Sequence, residues 1–197
     1  MNPIYSHPLL YEASIRLLYR WHYKSRYRAV AELIPSGASV ADICAGDCAL
    51  YRYALQAKEV DYLACDFNEV FLRWAEGRGI AARRLDLCRE EIPPAEYVVM
   101  MGSLCQFIPH EGEIVEKMMR AAGKKVIITE PVRNLWQSPF PPARWAARWF
   151  SSIGSETFEH RFDETTFRER LTPYGFQGFI PIAGGRDHLA FLEKETT

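Results

Sequence analysis

Carboxylates and thiols gather at three places in this chain, each at or just past the end of an apolar run. Asp42 sits inside the run Val40, Ala41, Ile43, which leads through Cys44, Ala45, Gly46, Asp47 and Cys48 into helix-favouring residues. Asp66 ends the run 60–65, and Asp86 ends another near 81–85. A buried strand that passes through a glycine turn into a helix is a ready site for a small polar ligand. Asp66 follows Gly46 by 20 residues, the separation expected of a carboxylate that receives ribose hydroxyls. Its two acceptor oxygens can take both hydroxyl protons. The alternative is that Asp66 caps the helix beginning near Asn68.

The turn itself narrows the ligand. A dinucleotide fingerprint wants glycines spaced G-x-G-x-x-G; Cys44, Gly46 and Ala49 take those places, so only the middle one matches. Asp42 and Asp47 would repel a pyrophosphate at short range, whereas a ligand with an ammonium and a sulfonium centre would find both charges favourable. These residues point away from NAD and towards S-adenosylmethionine.

In the acid that ends the first strand and the turn that follows it, the chain resembles the class I S-adenosylmethionine-dependent methyltransferases, as a small single-domain member. Cys44 and Cys48 replace the outer glycines of that family's G-x-G-x-G turn, and a cysteine Cβ restricts positive φ. The resemblance implies that Asp42, Cys44, Ala45 and Gly46 surround the cofactor, with Asp66 and its neighbour Phe67 at the ribose. It implies that the Asp86 carboxylate accepts from the adenine amino group while the Leu87 amide addresses the ring. Gly102 and Ser103, at the end of the fourth strand, would line the cofactor; Ser103 reads equally well as a turn residue. The implied activity is methyl transfer from S-adenosylmethionine, with S-adenosylhomocysteine as product.

A hydroxyl acceptor would need a general base. The candidates are His160, in the segment "FEHRF", Glu130 at the end of the fifth strand, and His110. Glu130 has a second reading, as an anchor for the following segment through Arg133. Residues 132–162 carry Trp136, Phe140, Trp145, Trp149, Phe150 and Phe158 with three prolines, and read as an aromatic lid. A short helix at 143–151 would place Trp145 and Trp149 one turn apart. With Arg133, Arg144, Arg148 and Arg161 outnumbering Glu156 and Glu159, the lid and the N-terminal helices (Tyr11 among their residues) would enclose a small or lipid-like, anionic acceptor. Trp136, Arg144, Trp145, Arg148, Trp149 and Tyr11 are the acceptor-side candidates.

Two further readings stand beside the enzyme. Cysteines in place of glycines would suit a cofactor- or partner-binding module without catalysis. The basic, tyrosine-interleaved stretch 11–28 would suit an RNA or protein methyltransferase, although it reads first as a solvated helix face with snorkelling arginines. Net charge of −1 gives no global reason to expect nucleic-acid binding. The five cysteines are an odd count without a C-x-x-C pair, so small packing residues are expected rather than disulfides or a metal site. With 48% apolar and 25% charged residues, and no apolar run near the roughly 20 residues of a spanning helix, a cytoplasmic protein is expected.

The elements that must position these residues follow from periodicity. Leu9, Leu10, Ala13, Leu17, Leu18 and Trp21 recur at helical spacing, and the region 7–34 reads as helix broken near 22–25. Strands are expected at 40–43, 60–65, 81–85, 95–101 and 125–130, with helices at about 47–57, 68–76 and 110–122. Two β-rich runs, 176–183 and 188–192, flank Gly184-Gly185-Arg186-Asp187, a hairpin signal. Alternating strands and helices predict a parallel sheet covered on both faces. The resemblance adds the strand order 3-2-1-4-5-7-6 with the last strand antiparallel. One domain of 197 residues is expected: N-terminal helices over 1–38, a cofactor core over 39–131, the lid over 132–162, and a helix with the closing hairpin over 163–197.

Overall fold

The computed structural model describes residues 3–133, 152–153, 156–157 and 161–194. Its centre is a seven-stranded sheet built from β1 (Ser39–Ile43), β2 (Asp61–Asp66), β3 (Ala82–Arg84), β4 (Ala95–Met101), β5 (Ala122–Pro131), β6 (Gln177–Ile182) and β7 (Asp187–Glu193). The spatial order is β3-β2-β1-β4-β5-β7-β6. The first five strands pair in parallel, and β7 runs antiparallel to both β5 and β6. This is the expected order and polarity of a Rossmann-like methyltransferase sheet.

β1 is central, and its side chains alternate between two apolar layers. Val40 packs with Tyr27, Val30, Ile34, Leu50 and Tyr62 on one face. Ala41 and Ile43 pack with Met100, Val115, Met118, Ile128 and Phe167 on the other. Asp42 lies on the Val40 side of this alternation, which seats a carboxylate in an apolar layer. The entry to β1 is pinned to β4 by a reciprocal pair: the Ser39 amide donates to Glu96 Oε2 at 3.0 Å, and the Glu96 amide donates to Ser39 Oγ at 2.9 Å.

Helices α1 (Pro8–Tyr19) and α2 (Tyr23–Ala31) precede the sheet, and α3 (Glu69–Glu76), α4 (Glu111–Ala121) and α5 (Glu164–Leu171) cover it. The Asn68 side chain, not Asp66, caps α3, accepting from the Val70 amide at 2.9 Å. That leaves Asp66 for other work. Lys58 closes the other end of the N-terminal unit, donating to the carbonyls of Ala31 and Ile34 at 2.5 and 2.6 Å, where a cation suits a helix C-terminus.

Two local expectations change. The helical break falls at Arg20, whose φ of +51° ends α1, rather than at 22–25. The apolar face expected to turn inward turns out instead: Leu17 and Trp21 are 73% and 75% exposed. The buried face of α1 carries Glu12 and Tyr19. Glu12 is captured there by Arg52, at 3.1 Å, and by the Tyr53 hydroxyl, both from the helical segment after β1. A polar network outweighs the hydrophobic period in setting the rotation of this helix. Among the described residues, no helix is long and apolar enough to cross a membrane.

Candidate active site

The turn after β1 is held in the conformation a glycine-rich loop would adopt, although two of its residues are cysteines. Cys44, Gly46 and Cys48 all have positive φ, at +58°, +54° and +56°. A side chain in the left-handed region costs roughly 1–2 kcal/mol, so the surrounding bonds must impose the shape. They do. The Ala45 amide donates to the Cys65 carbonyl at 3.1 Å and draws the turn towards β2. The Gly46 amide donates to Asp66 Oδ2 at 2.9 Å, while Asp66 Oδ1 accepts from the Asn68 amide at 2.8 Å. Each carboxylate oxygen keeps a second acceptor site.

Three carboxylates crowd this end of the sheet. Asp42 is buried and accepts the Tyr62 hydroxyl at 2.5 Å. Burial pushes its pKa up to about 7 against that hydrogen bond, with help from the charges of Asp66 and Asp47. Asp47 is pushed up to about 6 by burial, with Arg52 at 3.1 Å opposing the shift. Burial also raises Asp66, opposed by the amides of Asn68 and Gly46. The Cys44 thiol is raised by burial and by the charges of Asp66 and Asp42, so it stays protonated. Among the described residues, no cluster of three or more His, Cys, Asp or Glu is placed to hold a metal ion.

The remaining predicted cofactor residues extend the same edge. Phe67 is 60% exposed at its rim, with the Arg84 guanidinium 4.6 Å from the ring centre. Asp86 begins a turn: its Oδ1 accepts from the Cys88 amide at 3.1 Å, and Glu90 accepts from the Asp86 amide at 2.7 Å. The Leu87 side chain is buried in the apolar layer of Ala41 and Ile43. Gly102 follows β4 with a φ of +69°, and Ser103 beside it is buried. Tyr11 reaches over from α1: its ring lies 3.4 Å from where a Cβ on Gly46 would stand, and packs edge-on against Phe71. The N-terminal helix therefore roofs the turn.

Of the candidate bases, Glu130 is at this edge. It is buried at the end of β5, accepts the Leu104 amide at 2.6 Å, and has its pKa pushed up to about 7 by burial, with that amide and Arg161 opposing. Its partner is thus Leu104 rather than Arg133, whose amide donates to the Arg186 carbonyl. His110 precedes α4 with its side chain 75% exposed and Nδ1 3.2 Å from Glu113. His160 lies outside the described residues, as do Trp136, Arg144, Trp145, Arg148, Trp149 and the proposed lid helix.

Residues missed from sequence complete the far side of the edge. Arg26, on α2, has a side chain only 7% exposed, and its Nε lies 3.3 Å from Asp187 Oδ2 on β7. Tyr19 donates to Asp187 Oδ1 at 2.8 Å. The available signal was that Arg26 falls among Tyr19, Tyr23, Tyr27 and Val30, which recur on the buried face of the N-terminal helices.

Residues 24–147 match the family described as methionine biosynthesis protein MetW. No curated protein matches the sequence. Among solved structures, human N-acetylserotonin methyltransferase in complex with SAM superposes with a TM-score of 0.67 at 14% identity, over 97% of this chain and 57% of that one. Magnesium protoporphyrin IX methyltransferase from Synechocystis PCC 6803, with bound SAH, gives 0.62 at 14% identity over 94% and 84%. A SAM-dependent methyltransferase from Aquifex aeolicus gives 0.64 at 11% identity over 92% and 97%. The chain thus spans little more than half of the human enzyme. The fold is that of class I S-adenosylmethionine-dependent methyltransferases, and the residues of the edge fit that cofactor. Asp66 offers acceptor capacity beside a glycine turn, buried carboxylates suit a cationic ligand, and Gly46 holds a φ of +54° that side chains rarely adopt.

Proposed function

The chain belongs to the methionine biosynthesis protein MetW family, and from that premise we propose that it binds S-adenosylmethionine along the β1–β2–β4 edge and transfers its methyl group to a small or amphiphilic, anionic acceptor. The single observation that carries this reading is the turn with three alternate positive-φ residues, whose central amide is bound to the carboxylate 20 residues downstream. Asp66 would hold the ribose hydroxyls. Asp42 and Asp47 would set a negative potential at the turn, Phe67 would lie beside Asp66 at the ribose, and Asp86 with the Leu87 amide would address the base.

Bound there, the cofactor supplies an electrophilic methyl on a sulfonium, open to in-line displacement. The protein's part is positioning and exclusion of water. Tyr11 and Phe71 cover the turn. Glu130 is the described group fit to take a proton, because a carboxylate near 7 exchanges protons readily at neutral pH. The same residue favours a second reading, a cofactor-binding module without catalysis, since Glu130 is buried and already bound to the Leu104 amide.

Calorimetric titration with S-adenosylmethionine and S-adenosylhomocysteine, on the parent and on Asp66→Ala, tests the cofactor. The expected loss is about 2–3 kcal/mol, roughly 30- to 160-fold in affinity. A folded parent that binds neither nucleoside would overturn the reading. Methyl transfer into any acceptor of a cell extract separates the enzyme from the binding module.

A further inference from the structure

The N-terminal helices turn an apolar, basic face to solvent. Leu10, Ala13 and Leu17 fall at the i, i+3, i+7 spacing of one helix face, and Trp21 follows in the turn after α1. Leu9 and Leu10 are 53% and 54% exposed, and Leu17 and Trp21 more so. Large apolar side chains grouped in water on one short stretch mark an interaction surface, where scattered ones would not. Ser14 stands beside this face, but its hydroxyl is turned back onto the Leu10 carbonyl at 2.8 Å.

Charge says what the face meets. Arg16, Arg20, Lys24 and Arg28 are all exposed along the same two helices, while Glu12, the one acid of α1 and α2, is buried. Arg16 is tied to Glu12 at 2.8 Å, whereas Arg20 and Lys24 rest on aromatic rings, of Trp21 at 4.5 Å and of Tyr53 at 5.2 Å. The whole chain carries −1, so this concentration of cations is local. Two copies meeting here would set like charges against each other. A nucleic acid would leave the leucines wet. An anionic bilayer meets both halves of the surface: the apolar side chains enter the acyl boundary, and the basic ones stay among the headgroups. An indole with a guanidinium against it suits that boundary.

We propose that the outer face of α1, with the turn that follows it, is a docking surface for an anionic lipid bilayer. The inference does not depend on the cofactor reading, although the two adjoin. Tyr11, on the inward side of α1, roofs the turn at Gly46, so the surface backs directly onto the candidate site. Docking there would bring that site to an amphiphilic acceptor held in the bilayer.

The test is co-sedimentation with vesicles of phosphatidylcholine alone and of phosphatidylcholine with one third phosphatidylglycerol. No nucleoside is present, so the result stands apart from the cofactor titration. The parent should bind the anionic vesicles about tenfold or more tighter than the neutral ones, and release them as salt rises. Leu17→Gln/Trp21→Gln should weaken binding about tenfold or more, since two interfacial anchors are lost. Arg20→Gln/Lys24→Gln should weaken it roughly 30-fold, about fivefold for each charge. Arg120→Gln/Arg168→Gln removes two exposed cations from α4 and α5, across the sheet, and should stay within about twofold of the parent. Every position changed is exposed, so urea midpoints should match the parent; if the apolar pair fails to fold, Leu10→Gln on the same face replaces it. No binding of the parent to anionic vesicles overturns the proposal, as does equal binding to neutral ones. Equal loss in the α4–α5 variant overturns it too, because the attraction would then be general and not seated on this face. Concentration-dependent dimerisation that is lost in Leu17→Gln/Trp21→Gln, without vesicle binding, assigns the face to a second copy and likewise overturns it.

Discussion

The two halves of the sheet's carboxyl edge handle charge in opposite ways. At the β1–β2 half, Asp42, Asp47 and Asp66 are met mostly by neutral donors: a tyrosine hydroxyl and the amides of Gly46 and Asn68, with Arg52 touching only Asp47. Asp42 and Asp47 respond by holding protons up to about pH 7 and 6, and Asp66 is raised in the same direction. At the β4–β7 half, Arg26 is paired with Asp187 and lies with Arg186 against the Tyr19 ring, and a guanidinium cannot respond by titrating. One half thus relaxes by protonation, whereas the other keeps a fixed buried charge pair.

The comparison breaks most visibly if one partner is removed from each half. Asp187→Ala leaves Arg26 buried without its counter-ion and should destabilise the protein by about 3–5 kcal/mol, read from urea unfolding. Asp42→Asn keeps an acceptor for Tyr62 and removes a charge the site already resists, so the expected change is about 1 kcal/mol or less. Equal costs would mean that the two halves do not differ as described.

A pH series sharpens the contrast. Asp42 and Glu130 are pushed up to about 7 and Asp47 to about 6, above their unfolded values near 4. Carboxyls raised in this way bind protons more tightly in the folded state. Their stabilising contribution is complete below about pH 4 and is lost as pH rises through 6–7. The ligand-free protein should therefore lose stability between pH 5 and pH 8, by roughly 1–3 kcal/mol for each of these groups. Affinity for the sulfonium cofactor should move the other way, rising severalfold over the same range while S-adenosylhomocysteine changes little. A parallel rise for both nucleosides would remove the charge argument.

The sheet was legible because its cues are local and redundant. Buried parallel strands read as apolar runs, and each run here ends at a glycine or an acid that marks the turn. Asp66 and Gly46, paired in the sequence by their spacing, are joined in the structure by a hydrogen bond. Arg26 and Asp187 were not legible in this way, because they come together from α2 and β7 across 161 positions of sequence, and nothing local in either segment announces the other. The outward face of α1 was misread for a related reason. Its rotation is set by Glu12 meeting Arg52 and Tyr53, a long-range polar contact that no helical period contains.

The smallest effect concerns the two cysteines that stand in glycine conformations. At Cys44, substitution by glycine relieves a left-handed side chain, worth about 1–2 kcal/mol, and gives back about 0.4–1 kcal/mol through a looser unfolded chain. The net expectation is a gain of about 0.5–1 kcal/mol, since the Cys44 side chain is only partly buried. At Cys48 the same relief is offset further. Its thiol is fully buried in the layer with Leu50, Leu55 and Tyr62, and removing it forfeits about 1 kcal/mol of apolar burial. Cys48→Gly should therefore be neutral or slightly destabilising, and Cys44→Gly stabilising, when their urea midpoints are compared at one pH. If Cys44→Gly destabilises instead, its side chain is itself part of what holds the acidic half together. Ser103 would then be the first partner to test, because its hydroxyl bears directly on the Cys44 thiol.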